Sequence, residues 1–518
     1  MSSAKEPVTR RFGNGLTVLI KEDKSHPVVS LQYWVGTGSM NEGHWQGSGL
    51  SHLLEHLVFK GTAHFSGQEL ARKVQERGGH WNAYTSVNRT VYYIDGPAES
   101  WQIFLNLLTE LVFFPTFPED EMEREKEVVR REMAMYADDP DSVAYQLLMQ
   151  TLYLKHPCRW PVLGERAAFD CLTRQDVLDY HASRYVPNNV VLSIAGDVDA
   201  AEILSHLELL VEDLKSRPLN REPIPHEPHQ FGSRRVRKEF AVPYSKLHLA
   251  WRLPCSAHPD TPALSALSSI LGGGRSARFY EKFHDRLGLV YSIEVHSNQS
   301  ETDEGAFTIS MDVDRAQRDK VRDMVLQELR NLAEEDFTED LKRVCKQTRV
   351  SRLRRRSSAS GVASEMGADW FGSRNLNLSS EWQEAIERVT TEDLHRVCST
   401  WLSSPNVTEV SLDPPGSNAG DEERASASAG TALSEHVLGN GMKVVIREDH
   451  RLPLAYACMA FKAGCRAENE HDAGVTDLMS ECLLKGTSTR SAADIARFLE
   501  DIGGAINTST GNNSLSVG

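Results

Sequence analysis

Apolar residues recur in two successive parts of the chain with the spacing of β-strands. The segments 16–20 (Leu-Thr-Val-Leu-Ile) and 28–35 (Val-Val-Ser-Leu-Gln-Tyr-Trp-Val) are amphipathic, and the segment from Val190 to Ala195 is apolar almost throughout, which is typical of a buried strand. The segment 246–252 (Lys-Leu-His-Leu-Ala-Trp-Arg) alternates between polar and apolar residues. These patterns predict strands of one domain before residue 200 and of a second domain after it.

The segment 49–62 (Gly-Leu-Ser-His-Leu-Leu-Glu-His-Leu-Val-Phe-Lys-Gly-Thr) contains two histidines at helical spacing. His52 and His56 are four residues apart, so both imidazoles lie on one helix face, about one turn from each other, and can reach one ion. Zinc binds neutral imidazole, and a hydrolytic zinc site needs a nearby base such as Glu55. The order H-x-x-E-H is a known zinc-peptidase signature. On these five residues alone, a polar helix face with two solvated histidines remains the alternative.

A second helix carries the candidates for a third ligand. Pro118 suits a first helical position, and the acidic residues behind it suit the positive end of the helix dipole. On this helix Glu125 and Glu132 are seven residues apart and therefore share one face. Two histidines alone hold zinc weakly, and catalytic sites usually have three protein ligands. For either glutamate taken alone, the alternative to a metal ligand is a solvated position on a glutamate-rich helix face.

The two segments together resemble the pitrilysin/insulinase family of zinc peptidases, which includes mitochondrial processing peptidase. In that family the third ligand is a glutamate on a second helix, and Glu132, which follows His56 by 76 residues, matches its position. The resemblance implies one Zn²⁺ per chain, held by His52, His56 and Glu132. It also implies that metal-bound water attacks the scissile carbonyl with Glu55 as general base, and that Glu125 supports the site without binding the metal.

The segment 78–93 resembles the edge strand against which this family pairs its peptide substrate. An exposed strand edge binds peptide backbone by strand addition, which is largely indifferent to sequence. The resemblance implies that Asn82, Ala83 and Thr85 contact the substrate.

A further substrate contact in this family is an arginine that precedes a tyrosine by seven residues. Tyr291 matches the tyrosine, but the position seven residues before it is His284, and Arg286 is out of register. Either the working pair lies in a further domain outside this chain, or His284 substitutes for the arginine. We favour the first alternative, because the facing half closes the cleft in single-chain members of the family.

The resemblance implies an α+β fold for each domain, with a mostly antiparallel sheet, helices packed on one face, and two-domain units arranged as a clamshell. We expect the catalytic zinc-peptidase domain at 1–220 and a second domain that contributes to the substrate cleft at 221–414. The segment 415–432 is rich in small and polar residues and is expected to be a flexible linker. Residues 433–518 are expected to start a third domain.

The third domain is predicted from an internal repeat. Residues 12–23 recur as 438–449, and residues 49–62 recur as 474–487. In the second copy Asp477 takes the place of His52, Ser480 that of Glu55 and Glu481 that of His56. We therefore expect this copy to be degenerate and free of zinc. Because the repeat stops inside a predicted strand, the chain is expected to be a truncated protein.

Composition and net charge limit the kinds of partner and the cellular location that we expect. The 518 residues carry a net charge of −16, which argues against nucleic-acid binding and is compatible with cationic peptides. No apolar stretch reaches about 18 residues, and the N-terminus lacks the apolar core of a signal peptide. We therefore expect a cytoplasmic protein without a membrane span. The eight cysteines form no Cys-x-x-Cys pair, so neither a disulfide framework nor a thiolate zinc site is indicated.

Three functions are compatible with these features. The first is a zinc endopeptidase that cleaves peptides or unfolded protein segments, and the second is a non-catalytic scaffold that keeps only the fold. The third is a catalytic subunit that needs a separate partner chain. The intact motif argues against a scaffold, and the degenerate second copy argues against a separate partner. We expect the endopeptidase, with the missing C-terminal half of its own chain as a further partner.

Overall fold

A computed structural model describes residues 6–219, 223–298, 305–402, 405–415 and 434–446, and most residues of 457–518. The chain divides into two compact units, Met1–Glu422 and Glu423–Gly518. The expected linker 415–432 falls outside the described residues except for its first position, as does the expected domain boundary at Arg221. Among the described residues, no helix is both long and apolar enough to cross a membrane.

The first unit begins with a six-stranded sheet in the order β1-β2-β6-β3-β5-β4. Neighbouring strands are antiparallel except for the parallel pair β2 and β6. The predicted strands in segments 16–20, 28–35 and 190–195 correspond to β2, β3 and β6. The strands are β1 (Val8–Arg11), β2 (Thr17–Glu22), β3 (Val28–Val35), β4 (His80–Thr85), β5 (Thr90–Pro97) and β6 (Val190–Gly196).

A second sheet follows in the order β7-β11-β8-β10-β9, again with one parallel pair, β7 and β11. Apart from β1, its strand order and strand directions are those of the first sheet, so the first unit consists of two domains with the same topology. The internal repeat found in the sequence, which relates residues 12–62 to residues 438–487, does not include this second domain. The strands are β7 (Arg234–Glu239), β8 (Ser245–Leu253), β9 (Val290–Asn298), β10 (Gly305–Val313) and β11 (Thr408–Asp413).

The helices of the two domains also correspond. The long connection after β5 in the first domain and the one after β10 in the second each contain three long helices in succession. In the first domain the helices are α1 (Leu50–Val58), α2 (Gly67–Gln75), α3 (Trp101–Phe113), α4 (Glu119–Asp138), α5 (Pro140–Leu152), α6 (Arg166–Asp170), α7 (Arg174–Arg184) and α8 (Ala200–Leu210). In the second domain they are α9 (Thr261–Gly272), α10 (Arg318–Asn331), α11 (Thr338–Arg355), α12 (Ala359–Ser373), α13 (Leu378–Glu387) and α14 (Thr391–Val397).

The two domains exchange one helix each. Helix α5 of the first domain packs on the second sheet, and α12 of the second domain packs on the first sheet. The α+β class and the mostly antiparallel sheets are confirmed, and most helices do pack on one face. The opposite face of each sheet is covered by the exchanged helix, which the sequence analysis did not predict. The exchanged contacts join Leu148 and Leu152 to Ala250 and Val410, and Val362, Ala363 and Met366 to Trp34 and Val191.

Polar groups set the register of α12 on the first sheet. The amide of Gln32 on β3 donates to the Ser360 carbonyl and the Ser364 hydroxyl, both at 3.1 Å. The hydroxyl of Ser193 on β6 donates to the Ala363 carbonyl at 2.7 Å. These hydrogen bonds form only when the helix lies in this position, and losing them is costly because the groups involved are buried.

The second unit repeats the start of the first domain. Its helix α15 (Val475–Leu483) corresponds residue by residue to α1 under the shift of 425 found in the sequence. On this helix Asp477, in the position of His52, accepts a hydrogen bond from the Thr510 hydroxyl at 2.9 Å. The described strands are β12 (Ser434–Val437), β13 (Lys443–Ile446), β14 (Met459–Phe461), β15 (Thr508–Thr510) and β16 (Leu515–Val517).

Gly367 on α12 tests the exchanged packing. A Cβ atom at this position would overlap the indole ring of the buried Trp34. Glycine-to-alanine changes inside a helix usually stabilise by about 1 kcal/mol, but overpacking typically costs about 1–3 kcal/mol. We predict that Gly367→Ala lowers the urea midpoint of unfolding. The control is Gly232→Ala, where no atom lies within 4 Å of the added Cβ. A stabilised Gly367→Ala protein would show that α12 does not pack closely on β3.

Candidate metal centre

Helix α1 turns its polar face away from the core of the first domain. It begins after Gly49, which has φ +73° and whose Cβ would overlap the Leu163 carbonyl, so glycine is required there. His52, Glu55 and His56 are left partly exposed on the opposite face. The apolar positions of the helix are all buried: Leu50, Leu53, Leu54, Leu57 and Val58.

Helix α4 brings Glu132 to the two histidines. The Nε2 atoms of His52 and His56 each lie 3.9 Å from Oε2 of Glu132. One ligand atom from each of the three residues falls within 4.8 Å of the others, and no other such group of three is found in the described part of the chain. Ligand atoms bonded to one tetrahedral zinc ion at about 2.0–2.1 Å lie about 3.4 Å apart, so the three side chains would close in slightly around a bound ion.

The protonation state of His52 suits metal binding. Burial, with a smaller contribution from the charge of His56, lowers the pKa of His52 to about 3, so its imidazole is neutral and can bind metal. Zinc takes neutral imidazole nitrogen and carboxylate oxygen, and two histidines with one glutamate is a known catalytic ligand set. The side chains present therefore fit a zinc ion.

Glu55 is held beside this group by the edge strand. The hydroxyl of Thr85 on β4 donates to Oε2 of Glu55 at 2.5 Å. Burial raises the pKa of Glu55 above its usual range, although the Thr85 hydrogen bond and the charge of His56 oppose the shift. A carboxylate with a raised pKa accepts a proton more readily at neutral pH, as a general base requires.

Glu125 contacts His56 from the side away from Glu132. Its Oε2 lies 3.1 Å from Nδ1 of His56, and its Oε1 lies 2.6 Å from Nζ of Lys60. Burial alone would lower the pKa of His56, but the hydrogen bond to Glu125 and the nearby carboxylates outweigh burial and raise it. Glu125 thus orients one imidazole and does not join the three converging ligand atoms.

The corresponding region of the second domain has no such chemistry. Helix α9 occupies the position of α1 in the repeat, and its sequence Thr-Pro-Ala-Leu-Ser-Ala-Leu-Ser-Ser-Ile-Leu-Gly contains neither histidine nor acid. Its apolar side chains join the core of the second domain, where α11 packs against it. Within the residues described, the shared fold therefore carries a group that could bind a metal in the first domain only.

The predicted substrate residues on β4 lie at a free sheet edge. Strand β4 pairs with β5 on one side, and no described strand pairs with its other side. Asn82 is exposed, and its side-chain oxygen accepts from the backbone N–H of Ala83 at 2.9 Å. Thr85, at the end of this strand, reaches Glu55 as described above. The edge strand is therefore adjacent to the face of α1 that carries the two histidines.

Tyr291 and His284 are not brought together. Tyr291 lies on β9 of the second sheet, 48% exposed, with its ring 5.3 Å from that of Tyr244. His284 lies in a π-helix, Tyr280–Arg286, where it stacks on Tyr280 and contacts Asp285 at 2.7 Å. The described contacts of both residues lie within the second domain, so neither is seen to join the metal-binding group.

Glu42 was missed by the sequence analysis although it supports helix α1. The side chain is fully buried, and its Oε1 accepts from the backbone N–H of Ser51 at 2.8 Å, one residue before His52. The repeat contained a signal for this role. Glu468 accepts from the backbone N–H groups of Gly474 and Thr476 at the start of α15, the corresponding helix of the second unit.

Two family models match the chain. The model described as insulinase (peptidase family M16) matches residues 17–166 and 443–516, and the model described as the peptidase M16 inactive domain matches residues 172–347. The first match contains His52, His56 and Glu132, and it returns in the second unit. The inactive-domain match covers most of the second domain, where the structure shows no metal-binding group among its described residues.

Curated relatives and solved structures agree with these matches. An uncharacterised zinc protease of Rickettsia felis is 27% identical over 76% of this chain and 94% of that protein, and one of Bacillus subtilis is 27% identical over 74% and 92%. A protease from Helicobacter pylori has a similar crystal structure, with a TM-score of 0.72 and 26% identity over 79% of this chain and all of that one. A peptidase M16 inactive domain from Pseudomonas fluorescens shares the fold, with a TM-score of 0.72, 20% identity, and 79% and 98% coverage.

The buried Glu42 predicts a dependence of stability on pH. Burial raises its pKa from an ordinary 4.5 to about 8 despite the backbone N–H donors, so the folded protein keeps a proton that the unfolded chain releases. The contribution of Glu42 to stability is therefore full below pH 4.5 and is lost as pH rises to 8. We predict that Glu42→Gln gains stability relative to the wild type between pH 5 and 8.5. Urea midpoints at both pH values measure this, and a constant difference would contradict it.

Proposed function

Because the chain belongs to the insulinase family, peptidase family M16, we propose that it is a zinc-dependent endopeptidase with one zinc ion in its first domain. Relatives over most of its length are named zinc proteases, which supports zinc-dependent peptidase activity in general. The observation that carries the proposal is the convergence of His52, His56 and Glu132. A non-catalytic scaffold would have no need for this ligand set or for a general base beside it.

The three side chains would hold the metal through two imidazole nitrogens and one carboxylate oxygen. Zinc bound there would acidify a water molecule and polarise the scissile carbonyl. Glu55 would take the proton of this water molecule. It is the acidic residue of α1, it lies on the same helix face as the two histidines, and it is not one of the three proposed ligands. Thr85 holds Oε2 of Glu55 in position, so proton transfer does not depend on a freely rotating side chain.

The free edge of β4 would bind the substrate. An extended peptide that adds to this edge makes main-chain hydrogen bonds and needs no particular sequence. Asn82, Ala83 and Thr85 lie along this edge, and Thr85 connects it directly to Glu55. The substrates are therefore peptides or unfolded protein segments, because a folded protein does not present a free extended chain.

The second domain and the second unit would contribute without binding metal. We assign residues 1–220 to catalysis, 221–414 to a structural domain at the cleft, and 433–518 to a degenerate copy of the first domain, joined by the linker 415–432. Tyr291 is the candidate substrate contact of the second domain. Another half of the family's type, in the same chain or in a separate subunit, is the expected partner.

Replacing the proposed base separates catalysis from metal binding. Glutamine in place of Glu55 keeps nearly the same shape but cannot accept the proton, and loss of a general base typically costs about 10²–10⁴-fold in rate. We predict that Glu55→Gln retains one equivalent of zinc, measured by atomic absorption, while its hydrolysis of a peptide library falls by that factor. Normal turnover in a zinc-loaded Glu55→Gln protein would refute the assignment.

Replacing the proposed third ligand should remove the metal itself. We predict that Glu132→Gln loses zinc during dialysis against a weak chelator, because one of three protein ligands is gone. Glu123→Gln, an exposed glutamate on the same helix, is the matched control and should keep its zinc. Equal zinc retention in the two variants would exclude Glu132 as a ligand, and a wild-type protein without zinc affinity would favour the scaffold.

A further inference from the structure

The metal centre contains more negative charge than zinc binding requires. Glu55, Glu125 and Glu132 surround the two histidines, and a zinc ion would balance two of the three carboxylates. The remaining positive charge is supplied by Lys60, which follows the end of α1 by two residues. Its side chain is 28% exposed and that of Glu125 is 9% exposed, so this ion pair is largely shielded from solvent.

Lys60 and His56 together occupy both oxygens of Glu125. Oε1 lies 2.6 Å from Lys60 Nζ, and Oε2 lies 3.1 Å from His56 Nδ1. Glu132, in contrast, turns Oε2 toward the Nε2 atoms of both histidines. The two glutamates share one face of α4, so their sequence positions alone do not decide which of them binds a metal. The ion pair with Lys60 distinguishes them.

We propose that Lys60 is a positioning residue that selects the metal ligand. By holding Glu125 on Nδ1 of His56, it keeps that carboxylate away from the metal and leaves the third ligand position to Glu132. The inference rests on the proposed zinc site and adds to it the group that decides its coordination. Lys60 itself contacts neither the ligand atoms nor the substrate edge in the structure.

The orientation of His56 depends on this arrangement more than that of His52 does. A carboxylate on Nδ1 holds the proton there and leaves Nε2 free for the metal. Nδ1 of His52 is buried without a hydrogen-bond partner among the described residues. Glu125 is thus the carboxylate that orients an imidazole here, and Lys60 is the cation that keeps Glu125 in place.

The first test is Lys60→Met, a substitution of similar length that removes the charge. Changes to groups that orient metal ligands typically weaken metal binding about 10–100-fold. We expect the dissociation constant for zinc, measured by competition with a chromophoric chelator, to rise within this range. In the cobalt-substituted protein we expect a shifted visible spectrum, because a released Glu125 no longer orients His56 and competes with Glu132 for the third ligand position, which changes the coordination geometry.

Two controls separate positioning from a structural or general charge effect. Lys60→Arg restores a cation that can pair with Glu125, and it should bring zinc affinity and the cobalt spectrum back toward the wild type. Lys24→Met removes one positive charge at an exposed position outside the site and should change neither. If Lys60 acted only by filling space, Lys60→Arg would not restore zinc affinity or the cobalt spectrum.

The decisive measurement is a double-mutant cycle with Glu125→Gln. If Lys60 acts through Glu125, Lys60→Met should cost little further zinc affinity once the carboxylate has been replaced, so the two effects will not add. Additive effects, or a Lys60→Met protein with wild-type zinc affinity and cobalt spectrum, would overturn the inference while leaving the zinc site intact. Failure of the wild-type protein to bind zinc would instead overturn the proposed function.

Discussion

The exchange of helices α5 and α12 between the two domains is the constraint on which the candidate metal centre depends. Helix α4 supplies Glu132, and only Asp139 separates it from α5, which is packed on the sheet of the other domain. Met122 and Val129 anchor α4 in the first core, while Lys246 of the second sheet pairs with Asp141 at the start of α5, 2.7 Å away. The position of Glu132 over the histidines is therefore set by both domains.

This dependence gives the second domain a role in the proposed chemistry, although none of its described residues belongs to the candidate ligand group. Its helix α9 stands where α1 stands in the first domain, but it has no histidine or acid and its apolar side chains join the core. Its contribution is mechanical: it holds α5, and through α5 the helix that presents Glu132 and Glu125. If Glu132 binds the metal as proposed, isolating the motif-bearing domain would loosen one of the three ligands.

Periodicity and the resemblance to a known family together predicted much of this structure. Helical spacing put His52 and His56 on one face, and the family pattern selected Glu132, whose Oε2 does lie beside both imidazoles. The helix exchange could not be predicted, because an apolar face such as that of α5 does not say which sheet it covers. The topological repeat of the two domains was hidden because it rests on burial pattern and strand order. Lys60 and Glu42 were missed because a charged residue in a sequence is usually solvated.

The most direct test of the account is a crystal structure of the zinc-loaded protein with anomalous data collected on both sides of the zinc absorption edge. The account predicts one zinc peak per chain, bonded to Nε2 of His52, Nε2 of His56 and a carboxylate oxygen of Glu132, with Glu125 still paired to Lys60. A zinc ion bonded to Glu125, or zinc peaks elsewhere with none between these three side chains, would contradict it.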